Sequence, residues 1–228
     1  MSDQLEWIIV RRLGGQDYHN GAKWITCAVF FGGAKPMIVL LAGMQRSGST
    51  FAFNVAREVL QKRGTTHQES HANIVDVLER GSGADHVILK THVGDSTAVA
   101  LARHDACRTI CTVRRVEDAV ASWITTFGAS EEDSIDLMRR WLLFYVKIRE
   151  HALLVPYELI DRHPWRATLR IARYLDPHAG LRETHAIKTR FAKAEVMRRS
   201  NEMSRQDAGI VDVGFSYHDG QTAARQSG

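Results

Sequence analysis

Cysteine is scarce in this chain of 228 residues, with only Cys27, Cys107 and Cys111. An odd, sparse set excludes a fold stapled by disulfides. His104 stands close to Cys107 and Cys111, but both thiols lie in or beside the apolar run RTICTV, where buried free cysteines are common. No metal site is therefore expected. No apolar run approaches the ~18 residues of a membrane span. The start, MSDQLEW, is acidic and lacks the apolar core of a signal peptide, so a soluble cytoplasmic protein is the expectation. Charge of one sign is also in short supply. Thirty Lys+Arg against 26 Asp+Glu leave a net charge of +4. That balance suits a small anionic ligand and is too weak to argue for nucleic acid. No internal repeat is present.

What is there suits one α/β domain. Hydrophobic residues make up 44% of the chain, enough for a real core. Residues 1–35 hold several glycines and the patch WITCAVFF, and read as an N-terminal extension of unassigned role. Residues 36–228 read as a single domain with a polar tail after about Asn201. MIVLLAG, from Met37, is a short continuous apolar run, as expected of a central parallel strand. Ala52, Val55, Ala56, Val59 and Leu60 then recur at helical spacing, with Gly64 as a stop. The polar stretch TTHQESHANIVDVLERGSGAD leads to a second strand, HVILKTH. RTICTV is a third strand and ALLVPYE a fourth.

Glu117 and Asp118 suit the first turn of a helix over VEDAVASWITTF. Ser130 with Asp133 resembles a capping box opening a long helix, for which Ile135, Met138, Leu142 and Tyr145 predict the apolar face. Pro164 fits the first turn of another helix, continued by Leu169, Ala172 and Leu175. Trp141 and Trp165 are expected in the core. Strands alternating with helices give a three-layer fold, a parallel sheet flanked by helices.

Between the first strand and helix lies GMQRSGSTF. A strand–loop–helix junction aims backbone N–H groups at one point, and the helix dipole favours an anion there. Gly43 and Gly48 have the spacing of a nucleotide-triphosphate loop, but Ser49 stands where that signature has lysine. Gly48 allows close approach, Ser47, Ser49 and Thr50 bring hydroxyls, and Arg46 brings a fixed charge with a planar fork of donors. Lysine at that position reaches terminal phosphates, so its absence argues against ordinary ATP hydrolysis.

QRSGSTF at 45–51, ILKTHVG at 88–94, TVRRVEDAVASW at 112–123 and VPYELIDRHPWRATLRIARYL at 155–175 together resemble the sulfotransferase family, in content and in order, across roughly residues 37–176. The resemblance implies the P-loop-like sulfotransferase fold and transfer of a sulfuryl group from PAPS (3′-phosphoadenosine 5′-phosphosulfate) to a hydroxyl or amine, leaving PAP. It implies that Arg46, Ser47, Gly48, Ser49 and Thr50 cradle the 5′-phosphosulfate and that Phe51 stacks on adenine. His92 matches the family's general base, with Lys90 and Arg46 stabilising charge on the reacting oxygens. Arg114 and Ser122 match the 3′-phosphate ligands, and Tyr157 a tyrosine near the adenine. The family's C-terminal RKGxxGDW-like clamp has no counterpart here; Gly220 and Arg225 in the tail are only a loose match.

The implied partners are a small-molecule or carbohydrate acceptor and a possible second copy, with no metal. His67, His71 and His86 offer no second constellation. Two other readings stay open. One is a small-molecule or nucleotide kinase with an altered P-loop, for which Asp95 is a poor magnesium ligand. The other is a catalytically silent PAP- or nucleotide-binding protein.

Overall fold

The computed structural model describes residues 37–70 and 73–191. The expected extension over residues 1–35, the tail with Gly220 and Arg225, and Cys27 and His71 lie outside them. The expected strands form where continuous apolar runs permit burial: the central β1 (Met37–Ala42), β3 (His86–Thr91) and β4 (Arg108–Val113), and β5 (Ala152–Pro156), an edge strand that is half-buried except at Val155. A further strand, β2 (Thr66–Ser70), completes a parallel sheet of order β2-β3-β1-β4-β5.

β2 is a departure from the sequence expectation, since THQES carries no apolar signal. It is an edge strand, half-buried throughout, held by its ladder to β3. Glu69 takes two hydrogen bonds of 2.6 Å from Arg80 and lies 2.7 Å from His67 Nε2, which ties the strand to the next helix. That fork holds the Glu69 carboxyl down at about 2.

Helices α1 (Ser49–Gln61), α6 (Tyr157–Arg162), α7 (Pro164–Leu175) and α8 (Leu181–Arg190) cover one face of the sheet. The stripe predicted for α1, from Ala52 to Leu60, is buried against Val39, Leu41, Ile88 and Ile110. The opposite face carries α2 (Ile74–Arg80), α3 (Ser96–Arg103) and the long α5 (Glu131–Ile148) over Leu40, Leu89 and Cys111. α4 (Val116–Phe127) packs with α5 over the strand ends, around Met44, Val120, Met138 and Trp141.

Ser130 caps α5 as expected: Asp133 N–H donates to Ser130 Oγ at 3.1 Å, and the Ser130 hydroxyl donates to Asp133 Oδ2 at 2.7 Å. Its buried face differs from the predicted one. Ser134, Met138, Trp141, Phe144 and Ile148 face inward, while Ile135 and Leu142 are about half exposed, at 47% and 48%. Bulk decides this rotation, because it seats Trp141 and Phe144 under the sheet, and Trp141 Nε1 donates to Ala42 O at 2.9 Å. Trp165 also departs from expectation; it lies outward on the first turn of α7, 46% exposed, beside the Arg166 guanidinium. Cys107 and Cys111 are buried core thiols, and burial pushes them up to about 11 and about 12, so both stay protonated and inert.

Candidate active site

β1 stops at Ala42, and residues 43–48 turn the chain into α1. Two glycines make that turn possible. A Cβ on Gly43 would meet Thr112 Oγ1 at 2.3 Å and Ser49 Cβ at 2.5 Å. Gly48 has φ +84, and its Cβ would lie 2.8 Å from Ile160 Cδ1. Arg46, with φ 60, is left-handed as well. Left-handed residues set between right-handed ones turn successive N–H groups to one side, the geometry of an anion-binding nest. A non-glycine residue held there is strained, and the surroundings must hold it. Ser47 does this. Its hydroxyl is wholly buried, donates to Met44 O at 2.5 Å, and lies 2.6 Å from Thr112 Oγ1 at the end of β4. Ser47 was expected to offer that hydroxyl to a ligand; the structure commits it to the loop's own shape.

Arg46 and Ser122 meet directly, with Arg46 Nε donating to Ser122 Oγ at 3.0 Å. Arg114, one residue beyond β4, reaches the same loop and makes a long contact of 3.4 Å to Arg46 O. Its guanidinium lies 4.3 Å from the centroid of the Tyr157 ring. Arg114 Nε is buried and, among the described residues, without a hydrogen-bond partner. Arg114 and Ser122 thus each contact Arg46, one at its backbone carbonyl and the other at its guanidinium. Tyr157 was expected at a strand end. β5 instead stops at Pro156, and Tyr157 opens α6, which presses Ile160 against Gly48. Phe51 is half-buried and packs against the core on the α1 face.

Lys90 closes the other side. It is 2% exposed, and its ammonium donates to Thr50 Oγ1 at 2.9 Å. Desolvation pulls it down to about 8. β3 ends at Thr91, so His92 leaves the strand, yet its Nδ1 lies 2.6 Å from Gly43 O. A carbonyl only accepts, so Nδ1 carries the proton in the neutral ring and Nε2 is the basic nitrogen. Lys90 and His92 thus reach the two ends of one loop, at Thr50 and Gly43.

Sequence reasoning missed two supports, Thr112 and the Phe127 ring, which lies 5.8 Å from the Arg46 guanidinium carbon; Trp141 is in the core as expected. Thr112 carried a usable signal, because it stands two residues before Arg114 at the same strand end. Past the end of β3 opens a cavity of about 200 Å³, lined by Ile74, Leu89, Thr91, Val93, Gly94 and Ala98 with the polar Asn73 and Asp95. Asp95 caps α3 and accepts from Asn73 Nδ2 at 2.9 Å. Among the described residues, no group of His, Cys, Asp and Glu is arranged to hold a metal ion, and no helix is long and apolar enough to cross a membrane.

No protein-family model matches the sequence, and no curated protein matches it. Solved structures do. Mouse sulfotransferase SULT7A1 complexed with PAP matches over 81% of this chain and 72% of its own, with TM-score 0.57 and 14% identity. The fold is that of the sulfotransferases. Retinol dehydratase in complex with androsterone and inactive cofactor PAP matches over 72% of this chain and 67% of its own, with TM-score 0.52 and 13% identity. In this sulfotransferase fold the loop, the ends of β3 and β4, and the start of α6 all lie at the C-terminal edge of the sheet, where open α/β sheets bind ligands.

Proposed function

We propose that the chain is a PAPS-dependent sulfotransferase transferring a sulfuryl group to a hydroxyl or amine of a small-molecule or carbohydrate acceptor. The observation that carries this reading is the meeting of Arg46, Lys90, His92, Arg114 and Ser122, from three separate stretches of sequence, around one left-handed loop. The residues present fit a bisphosphorylated nucleotide. Arg114 Nε is a buried donor in need of an acceptor, and the Lys90 ammonium and the Arg46 guanidinium lie at the same loop. The similar proteins SULT7A1 and retinol dehydratase were crystallised with PAP.

When bound, PAPS supplies a sulfuryl group on a phosphate leaving group. The chain's own residues do the rest. Backbone N–H groups at Gly48, Ser49 and Thr50 face the 5′-phosphosulfate from the start of α1, and Arg46 adds charge from within the loop. Lys90, shared with the Thr50 hydroxyl, stabilises negative charge on the leaving oxygens. His92 Nε2 takes the acceptor's proton, while the Nδ1–H bond to Gly43 O fixes the ring's tautomer and stabilises the imidazolium. Arg114 and Ser122 hold the 3′-phosphate, with Tyr157 and Phe51 beside the adenine. Arg46 and Lys90 supply the positive charge that a metal supplies in triphosphate chemistry.

Thermal-shift titration tests the donor site. PAP is expected to raise the melting midpoint and ATP–magnesium to leave it unchanged; a shift with ATP–magnesium alone would replace this reading with the kinase one. His92→Ala is expected to abolish sulfuryl transfer from PAPS while PAP affinity stays within about threefold. Equal loss of turnover and PAP binding would remove His92 from the role of base.

A further inference from the structure

The long helix α5 keeps a second apolar stripe on the side turned away from the sheet. Ile135, Leu142, Leu143 and Val146 are 47%, 48%, 57% and 54% exposed, on a helix whose inward face is already filled by Met138, Trp141, Phe144 and Ile148. Ile135, Arg139, Leu142 and Val146 follow one another at steps of four, three and four residues, the seam spacing of a helix that pairs with another helix. The same seam continues to Glu132 at its start and to Arg149, just past the helix end, and both are exposed.

Charge along the helix is polarised. Glu131, Glu132 and Asp133 occupy the first turn, and Lys147 and Arg149 the end, where Arg149 Nε also donates to the exposed Glu150 at 3.0 Å. A parallel partner of the same sequence would set like charges together. An antiparallel one sets Glu132 against Arg149. That register also sets Ile135 against Val146 and the aliphatic stem of Arg139 against Leu142, each layer occurring twice about a two-fold axis. Apolar pattern and charge therefore demand the same alignment.

We infer that the outward seam of α5 (Glu132, Ile135, Arg139, Leu142, Val146, Arg149) docks antiparallel on the same seam of a second copy of this chain, forming a two-fold dimer. The proposal is independent of the sulfotransferase chemistry. It buttresses α4, which packs on the other side of α5 and carries Ser122.

Sedimentation velocity on the full chain, over a concentration series, tests it. The wild type is expected to run as a reversible dimer. Glu132→Arg alone and Arg149→Glu alone each bring like charges together twice, and each is expected to weaken the dimer by about tenfold. The double variant E132R/R149E restores the pair with reversed sign and is expected to recover wild-type affinity within about threefold. Leu142→Glu is expected to give a monomer, with a melting profile showing that it is folded. A wild type that is monomeric throughout the series would overturn the proposal, as when another segment of the same chain covers the seam. A dimer indifferent to the charge swaps would overturn it too.

Discussion

Burial holds the Lys90 ammonium at about 8, well below the ordinary lysine value. The sign follows from proton counting. Between about 8 and about 10.4 the unfolded chain holds the proton and the folded chain does not, so Lys90 makes the fold more stable as pH rises through that window. Below it, the buried charge costs on the order of 3 kcal/mol, an upper figure that the Thr50 hydrogen bond already reduces. Lys90→Met is therefore expected to raise the melting midpoint at pH 7 and to flatten its rise above pH 8, as read by calorimetry. Under the proposed function an anion beside Lys90 restores its proton. PAP binding at pH 8.5 is then expected to take up protons, seen as a dependence of the binding enthalpy on the buffer, and Lys90→Met to remove that uptake. Arg114→Ala is expected to weaken PAP about tenfold or more while adenosine 5′-phosphosulfate, which has no 3′-phosphate, changes little. Equal weakening of both ligands would detach Arg114 from the 3′-phosphate. Gly48→Ala meets two obstacles, a left-handed φ and Ile160 Cδ1, and is expected to cost about 1–3 kcal/mol in urea unfolding.

At the scale of elements, the site depends on helices pinned to strand ends. Trp141 is 1% exposed, stacks on Tyr145 with ring centroids 4.9 Å apart, and ties α5 to the last residue of β1. Trp141→Phe removes that tie and leaves a void, with an expected loss of about 1–3 kcal/mol by denaturant titration. On the opposite face, Arg63 just past α1 donates to Asp176, to both oxygens of Glu183 at 2.8 and 3.1 Å, and to Val59 O at 2.8 Å. This fork holds α7 and α8 to α1. It also keeps the Glu183 carboxyl below the usual range, against partial desolvation. A depressed carboxyl contributes stability above its unfolded value and loses it as pH falls through the folded one. Arg63→Met is expected to quicken amide exchange in α8 and to make the protein less sensitive to acid below about pH 4.5.

For the whole molecule, the sheet order and the two helical layers put every strand-end residue of the site on one edge. Much of this was legible in the sequence. Apolar runs marked β1, β3 and β4 because a central strand buried on both faces needs them, and ALLVP marked the edge strand β5, which still packs its apolar side chains under helices. The stripe of α1, Ser130 at the start of α5 and Pro164 at the start of α7 follow from local chemistry. β2 was not legible, since an edge strand is stabilised by its neighbour's backbone and THQES has no pattern of its own. The buried face of α5 was misread because two apolar stripes run along that helix. Only the sheet above it chose the one bearing Trp141 and Phe144. The outward stripe left by that choice is the dimer seam proposed for this chain.

The sequence by itself determined the alternation of strands and helices, the glycine-punctuated loop after β1, and the residue types around it. These depend on backbone sterics and local burial, which act over a few positions. Only the tertiary structure decided that Arg46 grips Ser122, that Lys90 loses solvent and meets Thr50, that Ser47 turns inward to Thr112, and that Gly43 O sets the tautomer of His92. Each of those depends on which strand ends lie side by side and on how much water they exclude. Contacts between segments 40 to 76 residues apart carry no local trace in the chain.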